Sequence, residues 1–196
     1  GSLIESAIEL ERREVESKLS RLKDELVRTG VFDDQNTKLL IFTEHKDTLD
    51  YLVEKLRGWG LSVTQIHGGM HVGDRNSPGT RIYAEWEFSQ DAQIMVATEA
   101  AGEGINLQFC WFMINYDLPW NPMRLEQRMG RIHRYGQKKD CLILNFVSTN
   151  TREGRVLDKL LSKLAEISAE LGTDHVFDVI GEMLPSNMVE RMFREM

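Results

Sequence analysis

Proline and cysteine are scarce in this sequence, and long apolar runs are absent. It contains four prolines and two cysteines in 196 residues, and no apolar run approaches the roughly 18 residues that a membrane-spanning helix needs. Cys110 and Cys141 each lie in a strand-like apolar run, and a disulfide framework would need more cysteines at better spacing. The two thiols are therefore expected to pack reduced in the core, in a cytoplasmic protein without membrane contact and without a signal peptide.

Two further absences concern phosphate chemistry. The chain contains no G-x-x-x-x-G-K-[S/T] phosphate loop, so it lacks a backbone phosphate cradle, the lysine of that cradle and its magnesium-binding hydroxyl. The only Asp-Glu pair, Asp24-Glu25, lies in a predicted helix far from any strand end. The sequence therefore offers no carboxylate that is placed to hold Mg²⁺ or to orient an attacking water.

The charge is unevenly distributed along the chain. The formal net charge is −7, so attraction of the whole molecule to nucleic acid is not expected. Residues 124–139 nevertheless carry six Lys or Arg against Glu126 alone. Arg131 and Arg134 are three residues apart, and together they could hold a polyphosphate through forked hydrogen bonds. The alternative from spacing alone is a surface helix with solvated arginines.

Apolar runs and amphipathic segments alternate, which predicts an α/β fold. Residues 3–29 have the spacing of one amphipathic helix, which Gly30 would end and which we expect to pack against a neighbouring domain. Strands that are apolar throughout are typical of a parallel sheet covered on both faces. The predicted strands are 38–43, 61–66, 92–98, 110–116 and 141–147. Between them, one helix is predicted to end at Gly58, a second to span 81–89 and a third to run from Met123 to about His133.

These elements divide the chain into three predicted segments. Residues 1–37 form an N-terminal amphipathic helix and linker, residues 38–150 the α/β lobe, and residues 151–196 a helical extension. Asn150 and Glu153 are a plausible capping pair for a helix that continues to Leu171. Gly1 and Ser2 are typical of a cloning remnant, which suggests an excised fragment.

Glycines follow the second and third predicted strands, at the edge where α/β proteins bind ligands. "ATEAAGEGINLQ" and "HGGM" could bring backbone N–H groups close to a phosphate, or could simply permit sharp turns. His67 and His71 are four residues apart, but Gly68 and Gly69 between them argue against a shared helix. No metal site is therefore predicted.

Five segments in a fixed order identify a family resemblance. "LLIFTEHKDTLDYL", "QIHGGM", "VATEAAGEGINLQ", "DLPWNP" and "QRMGRIHRYGQ" resemble the second RecA-like lobe of the Swi/Snf-type ATPases of helicase superfamily two, over about residues 38–150. The resemblance implies a P-loop-type, three-layer α/β lobe with a parallel sheet, helices on both faces and helical flanks. The flanks resemble the bacterial branch of the family.

The resemblance implies a role in binding ATP for five residues. Gln127, Arg131 and Arg134 match the last helicase motif, whose two arginines reach the γ-phosphate of ATP and are its catalytic residues. Gly104 and Asn106 match the end of the preceding motif, which approaches the nucleotide. The first lobe of the parent chain, which would hold ATP and magnesium, is absent from this sequence.

The resemblance also implies contacts with the backbone of a nucleic acid. Thr43, the Gly68-Gly69 turn and Thr98 match positions that touch it, and double-stranded DNA is the expected substrate. Family members in bacteria are cytoplasmic DNA translocases, some bound to RNA polymerase and others in phage defence. Two alternatives remain: a nucleic-acid or protein binding module with no role in hydrolysis, and an interaction scaffold built on the flanking helices.

Overall fold

The computed structural model describes residues 2–99, 105, 107–119, 122–132, 139–147, 154–156, 158–159 and 162. Helix α1 is Ser2–Arg28, followed by strand β1 Leu39–Thr43, helix α2 Lys46–Gly58, strand β2 Val63–Ile66 and helix α3 Arg81–Gln90. Strands β3 Ile94–Thr98 and β4 Phe112–Asn115, helix α4 Pro122–Met129 and strand β5 Leu142–Asn145 complete the elements.

The five strands form one parallel sheet in the order β2-β3-β1-β4-β5. Every residue of β1, β3 and β4 is buried, whereas β5, at one edge, is half-buried throughout. The predicted parallel sheet with apolar inner strands is thus confirmed, and each strand is one to three residues shorter than its apolar run. The apolar residues at the ends of these runs lie just outside the strands and still contribute to the core.

Alternate residues of the strands contribute to two separate cores, one on each face of the sheet. Leu39 and Ile41 belong to the core that α1 and α2 cover, which includes Leu22 and Leu26. Leu40 and Phe42 belong to the opposite core, together with Ala84 and Phe88 of α3 and Ile132 after α4. The sheet therefore has helices on both faces, as the sequence predicted.

Only the second half of α1 packs on the lobe. Leu22 and Leu26 are fully buried, whereas Ile8 and Val15, on the same predicted apolar face, are exposed. Among the residues that the structure describes, no helix is both long and apolar enough to cross a bilayer. The domain boundaries and the docking of α1 on a neighbouring domain stay predictions. The predicted C-terminal helix lies mostly outside the described residues, of which 154–156, 158–159 and 162 are helical.

Helices α1 and α2 end in the same way, each followed by a glycine with positive φ. In α2 the N–H of Gly60 donates to Arg57 O at 2.9 Å and that of Leu61 donates to Leu56 O at 3.2 Å, which is the Schellman pattern. The helix ends at Gly58, as the sequence predicted, and Gly60, two residues further on, has φ +85°. Gly30 has φ +74° and closes α1 with the equivalent pair of bonds.

We expect opposite effects from alanine at Gly58 and at Gly60. A Cβ at either position would meet nothing within 4 Å, so only backbone conformation differs between them. Gly60→Ala should lower the free energy of unfolding by about 1–2 kcal/mol because an L-residue is strained at positive φ. Gly58→Ala should raise it by roughly 0.5 kcal/mol because alanine favours the helix. Urea unfolding of both variants measures the two changes, and equal effects would contradict this explanation.

Candidate functional site

Four strands of the parallel sheet bring their polar C-terminal ends to one edge. Thr43 lies opposite Thr98 in the β1–β3 register, and Asn115 lies opposite Asn145 in the β4–β5 register. The amide of Asn115 donates to Asn145 Oδ1 at 2.8 Å. Ligands of α/β sheets bind at this carboxyl edge, so the edge is the candidate site.

Arg128 of α4 is the most buried charged side chain at this edge. Only 2% of its side chain is exposed. Its Nε donates to Glu99 Oε1 at 3.0 Å, and its Nη1 donates to Asn115 Oδ1 at 3.1 Å and to the carbonyl oxygen of Asp117 at 2.6 Å. Nη2 lies 3.0 Å from the same Glu99 oxygen as an ion-pair contact, without hydrogen-bond geometry. The guanidinium also lies 5.2 Å from the centre of the Phe42 ring.

The environment of Arg128 compensates the cost of burying its charge. Burial lowers the pKa of the guanidinium below its ordinary value, and the neighbouring Glu99 carboxylate opposes that shift. An arginine stays protonated at neutral pH even so. A buried charge is tolerated when it is paired and hydrogen-bonded on several sides, whereas removal of its partner destabilises the folded protein. Arg128 therefore serves to hold strand ends together.

Asp117 forms a second polar centre beside the first. Lys18 of α1 donates to its Oδ1 at 2.6 Å, and the hydroxyl of Thr43 donates to its other oxygen. Burial of the carboxyl raises the pKa of Asp117, but the charge of Lys18 and the hydrogen bonds from Lys18 and Thr43 outweigh burial and leave this pKa below its ordinary value. Asp117 is therefore ionised at neutral pH and connects α1, β1 and β4.

The predicted nucleic-acid residues lie along this same edge. Thr43 and Thr98 are both buried, and the Thr43 hydroxyl is committed to Asp117. Gly68 and Gly69 form a turn just after β2. The turn is held by its own chain: Gly69 N donates to His67 Nδ1 at 3.2 Å, and Gly68 O accepts from Arg81 Nη2 at 3.2 Å.

The predicted nucleotide residues are described only in part. Gln127 is exposed on α4, and Arg131 is half-buried in the turn that follows this helix. The turn begins at Gly130, where the helix ends earlier than His133, the predicted limit, and Arg131 N donates to Arg128 O at 3.0 Å. Glycine disfavours continuation of the helix. Arg134, Gly104 and Asn106 lie outside the described residues.

Sequence reasoning missed Arg128, because it treated the arginines of this segment as one group. A signal was present in the helical periodicity. Leu125, Met129 and Ile132 are spaced as an apolar face, and Arg128 falls on that face. An arginine at such a position requires buried partners, and the carboxylate and amide that follow the strands supply them.

Within the described ranges, no three or more His, Cys, Asp or Glu side chains come together as a possible metal site.

The fold has close structural relatives among helicases. The chain resembles the crystal structure of the C-terminal part of the Fun30 ATPase domain, with a TM-score of 0.62 and 28% sequence identity, covering 72% of this chain and 44% of that one. The all-parallel sheet, the two helical layers and this likeness together define a RecA-like α/β lobe.

Sequence comparison gives the family. The helicase conserved C-terminal domain family matches residues 17–136, which is more than half of the chain. The chain therefore belongs to this family, as a C-terminal lobe of the Swi/Snf type within superfamily two.

Three relatives show the range of the similarity. An uncharacterized ATP-dependent helicase of Bacillus subtilis (strain 168), YqhH, is 44% identical over 147 residues, which is 74% of this chain and 24% of the relative. A putative SWI/SNF-related chromatin regulator of Arabidopsis thaliana is 31% identical, over 72% of this chain and 16% of the relative. The RNA polymerase-associated protein RapA of Pseudomonas fluorescens (strain Pf0-1) is 37% identical, over 53% and 11%. The chain thus spans a quarter or less of the length of each.

Proposed function

We propose that this chain is the second lobe of an ATP-dependent DNA translocase and is not an ATPase by itself. In this proposal Arg131 and Arg134 are catalytic residues that reach ATP, which a first lobe in the parent chain holds with magnesium. The observation that supports it most is a backbone contact: Leu107 N donates to Arg131 O at 3.3 Å. This bond joins the turn that carries Arg131 to the residue that follows Asn106 in the sequence.

The described residues are suited to a phosphate group at this edge. Arginine binds phosphate oxygens through a fork of donors, and the half-buried position of Arg131 restricts where its side chain can lie. Gln127 is exposed on the preceding turn of α4 and offers an amide to the same ligand. The chain contains no phosphate loop, so the triphosphate and its metal must be held by other residues.

The proposed mechanism is closure and opening of two lobes. ATP supplies the free energy of the cycle when it is bound. As the lobes close, Arg131 and Arg134 bring positive charge to the negative charge that develops during phosphoryl transfer. As the lobes part, the edge formed by Thr43, Thr98 and the Gly68-Gly69 turn shifts along the nucleic acid. Because Thr43 and Thr98 are buried, we propose that they support the surface that contacts the nucleic acid.

Location and partners are part of the proposal. Duplex DNA is the expected substrate and the cytoplasm the expected location, and one relative is named as a regulator of chromatin. One relative is named as an RNA polymerase-associated protein. RNA polymerase is therefore the first partner to test, by co-purification with the full-length protein.

ATP turnover by this chain alone tests the proposal. The chain should hydrolyse ATP no faster than buffer, with or without duplex DNA. The full-length protein should turn over on the order of 1 s⁻¹ or faster with DNA. The control is the same chain with Arg131→Ala, purified in parallel, because a contaminant would be insensitive to that change. Turnover by the isolated chain that Arg131→Ala abolishes would overturn the proposal of an incomplete site.

A further inference from the structure

Two contacts join α4 and the turn after it to Glu99 and Leu107, the residues on either side of positions 100–106. Glu99 Oε1 accepts from Arg128 Nε at 3.0 Å. Leu107 N donates to Arg131 O at 3.3 Å. Arg131 N in turn donates to Arg128 O at 3.0 Å. Residues 128–131 therefore contact the residues that flank the sequence segment with Gly104 and Asn106 of the proposed nucleotide site.

Only an arginine can make all the contacts found at position 128. Nε and Nη1 donate to three acceptors on two separate strand ends: Glu99, Asn115 and the carbonyl oxygen of Asp117. The guanidinium also lies 5.2 Å from the centre of the Phe42 ring. A lysine offers one point charge on a flexible stem and cannot reproduce this fixed fork.

We propose that Arg128 is a positioning residue, which fixes Glu99 and the end of β4 relative to the turn that carries Arg131. It is assigned no contact with ATP, since its side chain is buried and its Nε and Nη1 donate to groups inside the protein. It holds the ends of β3 and β4 against α4, so that Arg131 lies in a fixed position relative to both strand ends. The inference rests on the proposed function for its kinetic consequence, but its structural consequence is independent of ATP.

Arg124 provides a matched control on the same helix. It bonds the other oxygen of Glu99, with Nη1 to Oε2 at 2.9 Å, but 58% of its side chain is exposed. Exposed ion pairs contribute little. Replacing Arg124 leaves every hydrogen bond of Arg128 in place. An effect that follows replacement of Arg128 but not replacement of Arg124 therefore reflects the buried network.

Hydrogen exchange of this chain tests the structural part. Arg128→Lys should speed exchange of the Leu107 amide by about tenfold or more, because local opening becomes easier, while amides of β1 keep their rates. Arg124→Ala should change neither rate. Glu99→Gln keeps one acceptor oxygen, which can face Arg128 in place of Arg124, so it should have a smaller effect than Arg128→Lys. Unchanged exchange at Leu107 in a folded Arg128→Lys protein would overturn the inference.

Kinetics of the full-length protein test the functional part. Arg128→Lys should lower kcat for ATP hydrolysis by about tenfold, because small misplacements of catalytic groups are costly. The Kd for duplex DNA should stay within about twofold, and Arg124→Ala should leave both quantities unchanged. Arg131→Ala is measured beside it. Loss of turnover in Arg131→Ala with full turnover in Arg128→Lys would overturn the positioning role alone, whereas full turnover in Arg131→Ala would overturn the proposed function.

Discussion

Replacing Arg131 with alanine in the full-length protein should reduce ATP turnover by about 10³-fold or more. The reason is the proposed location of the Arg131 guanidinium. A guanidinium that contacts the transferring phosphoryl group stabilises the transition state and not the free enzyme. The Kd for duplex DNA, measured by fluorescence anisotropy, should change by less than about threefold. We expect the same separation of turnover from DNA binding for Arg134→Ala.

Two comparisons make this result specific. Arg131→Lys keeps the positive charge but loses the fork of donors, so it should restore only a small part of the turnover. Arg124→Ala removes an exposed arginine from the helix that precedes the Arg131 turn and should behave as the unmodified protein. Equal loss of turnover and of DNA affinity in Arg131→Ala would contradict the assignment.

Unchanged turnover in Arg131→Ala would favour the alternative that the lobe only binds nucleic acid or protein. The scaffold alternative makes a different prediction, since it depends on the flanking helices. Ile8 and Val15 on α1 are exposed, so this surface is accessible to a partner. Deleting α1 residues 2–14 would then abolish partner binding but leave DNA-stimulated turnover.

The architecture was predictable because it depends on patterns that are local in sequence. Runs such as "LLIFT" and "IMVAT" are apolar up to their final threonine, which is typical of a strand covered on both faces. The end of α2 at Gly58 was readable for the same reason. The positive φ of Gly60 after the helix was not, because local composition does not determine which of two neighbouring glycines takes the left-handed conformation.

The polar network at the carboxyl edge was not predictable, because its contacts join distant residues. Arg128 meets Glu99 and Asn115, and the pairing of Lys18 with Asp117 spans 99 positions. The four arginines at 124–134 look alike in the sequence, yet Arg124 is exposed and Arg128 is buried. Burial, which the fold alone determines, decides which of them is structural. Arg131 and Arg134 were assigned from the family resemblance, and their roles stay predictions.

Asp117 combines these long-range contacts, and its replacement by alanine should lower the free energy of unfolding by about 2–3 kcal/mol. The carboxyl side chain is only 24% exposed, and it accepts from Lys18 and from the buried Thr43 hydroxyl. Its removal leaves both donors without this acceptor. Chemical denaturation at neutral pH measures the loss. The matched variant Lys18→Met should cost less, because the ammonium it removes is nearer to solvent and Thr43 keeps its partner.

The pH dependence of the same variants separates charge from shape. The pKa of Asp117 is lower in the folded protein than its ordinary value, so its ionised form stabilises the fold. That contribution is fully present above the ordinary pKa of about 3.9 and is lost as the pH falls through the folded value. The stability difference between the unmodified protein and Asp117→Ala should therefore shrink below about pH 4. A difference that stays constant to pH 3 would mean that the side chain acts through packing.

The position of Asp117 gives this measurement a functional meaning. Its side chain holds Lys18 of α1, and its carbonyl oxygen accepts from Arg128 at 2.6 Å. One residue thus joins α1 to the helix that precedes the proposed catalytic turn. If Asp117→Ala also lowers kcat for ATP in the full-length protein at neutral pH, while Lys18→Met does not, the hydrogen bond between the Asp117 side chain and Thr43 is the contact that matters for turnover, because alanine keeps the carbonyl oxygen that accepts from Arg128. If both variants lower kcat equally, α1 itself helps to set the geometry of the arginine turn.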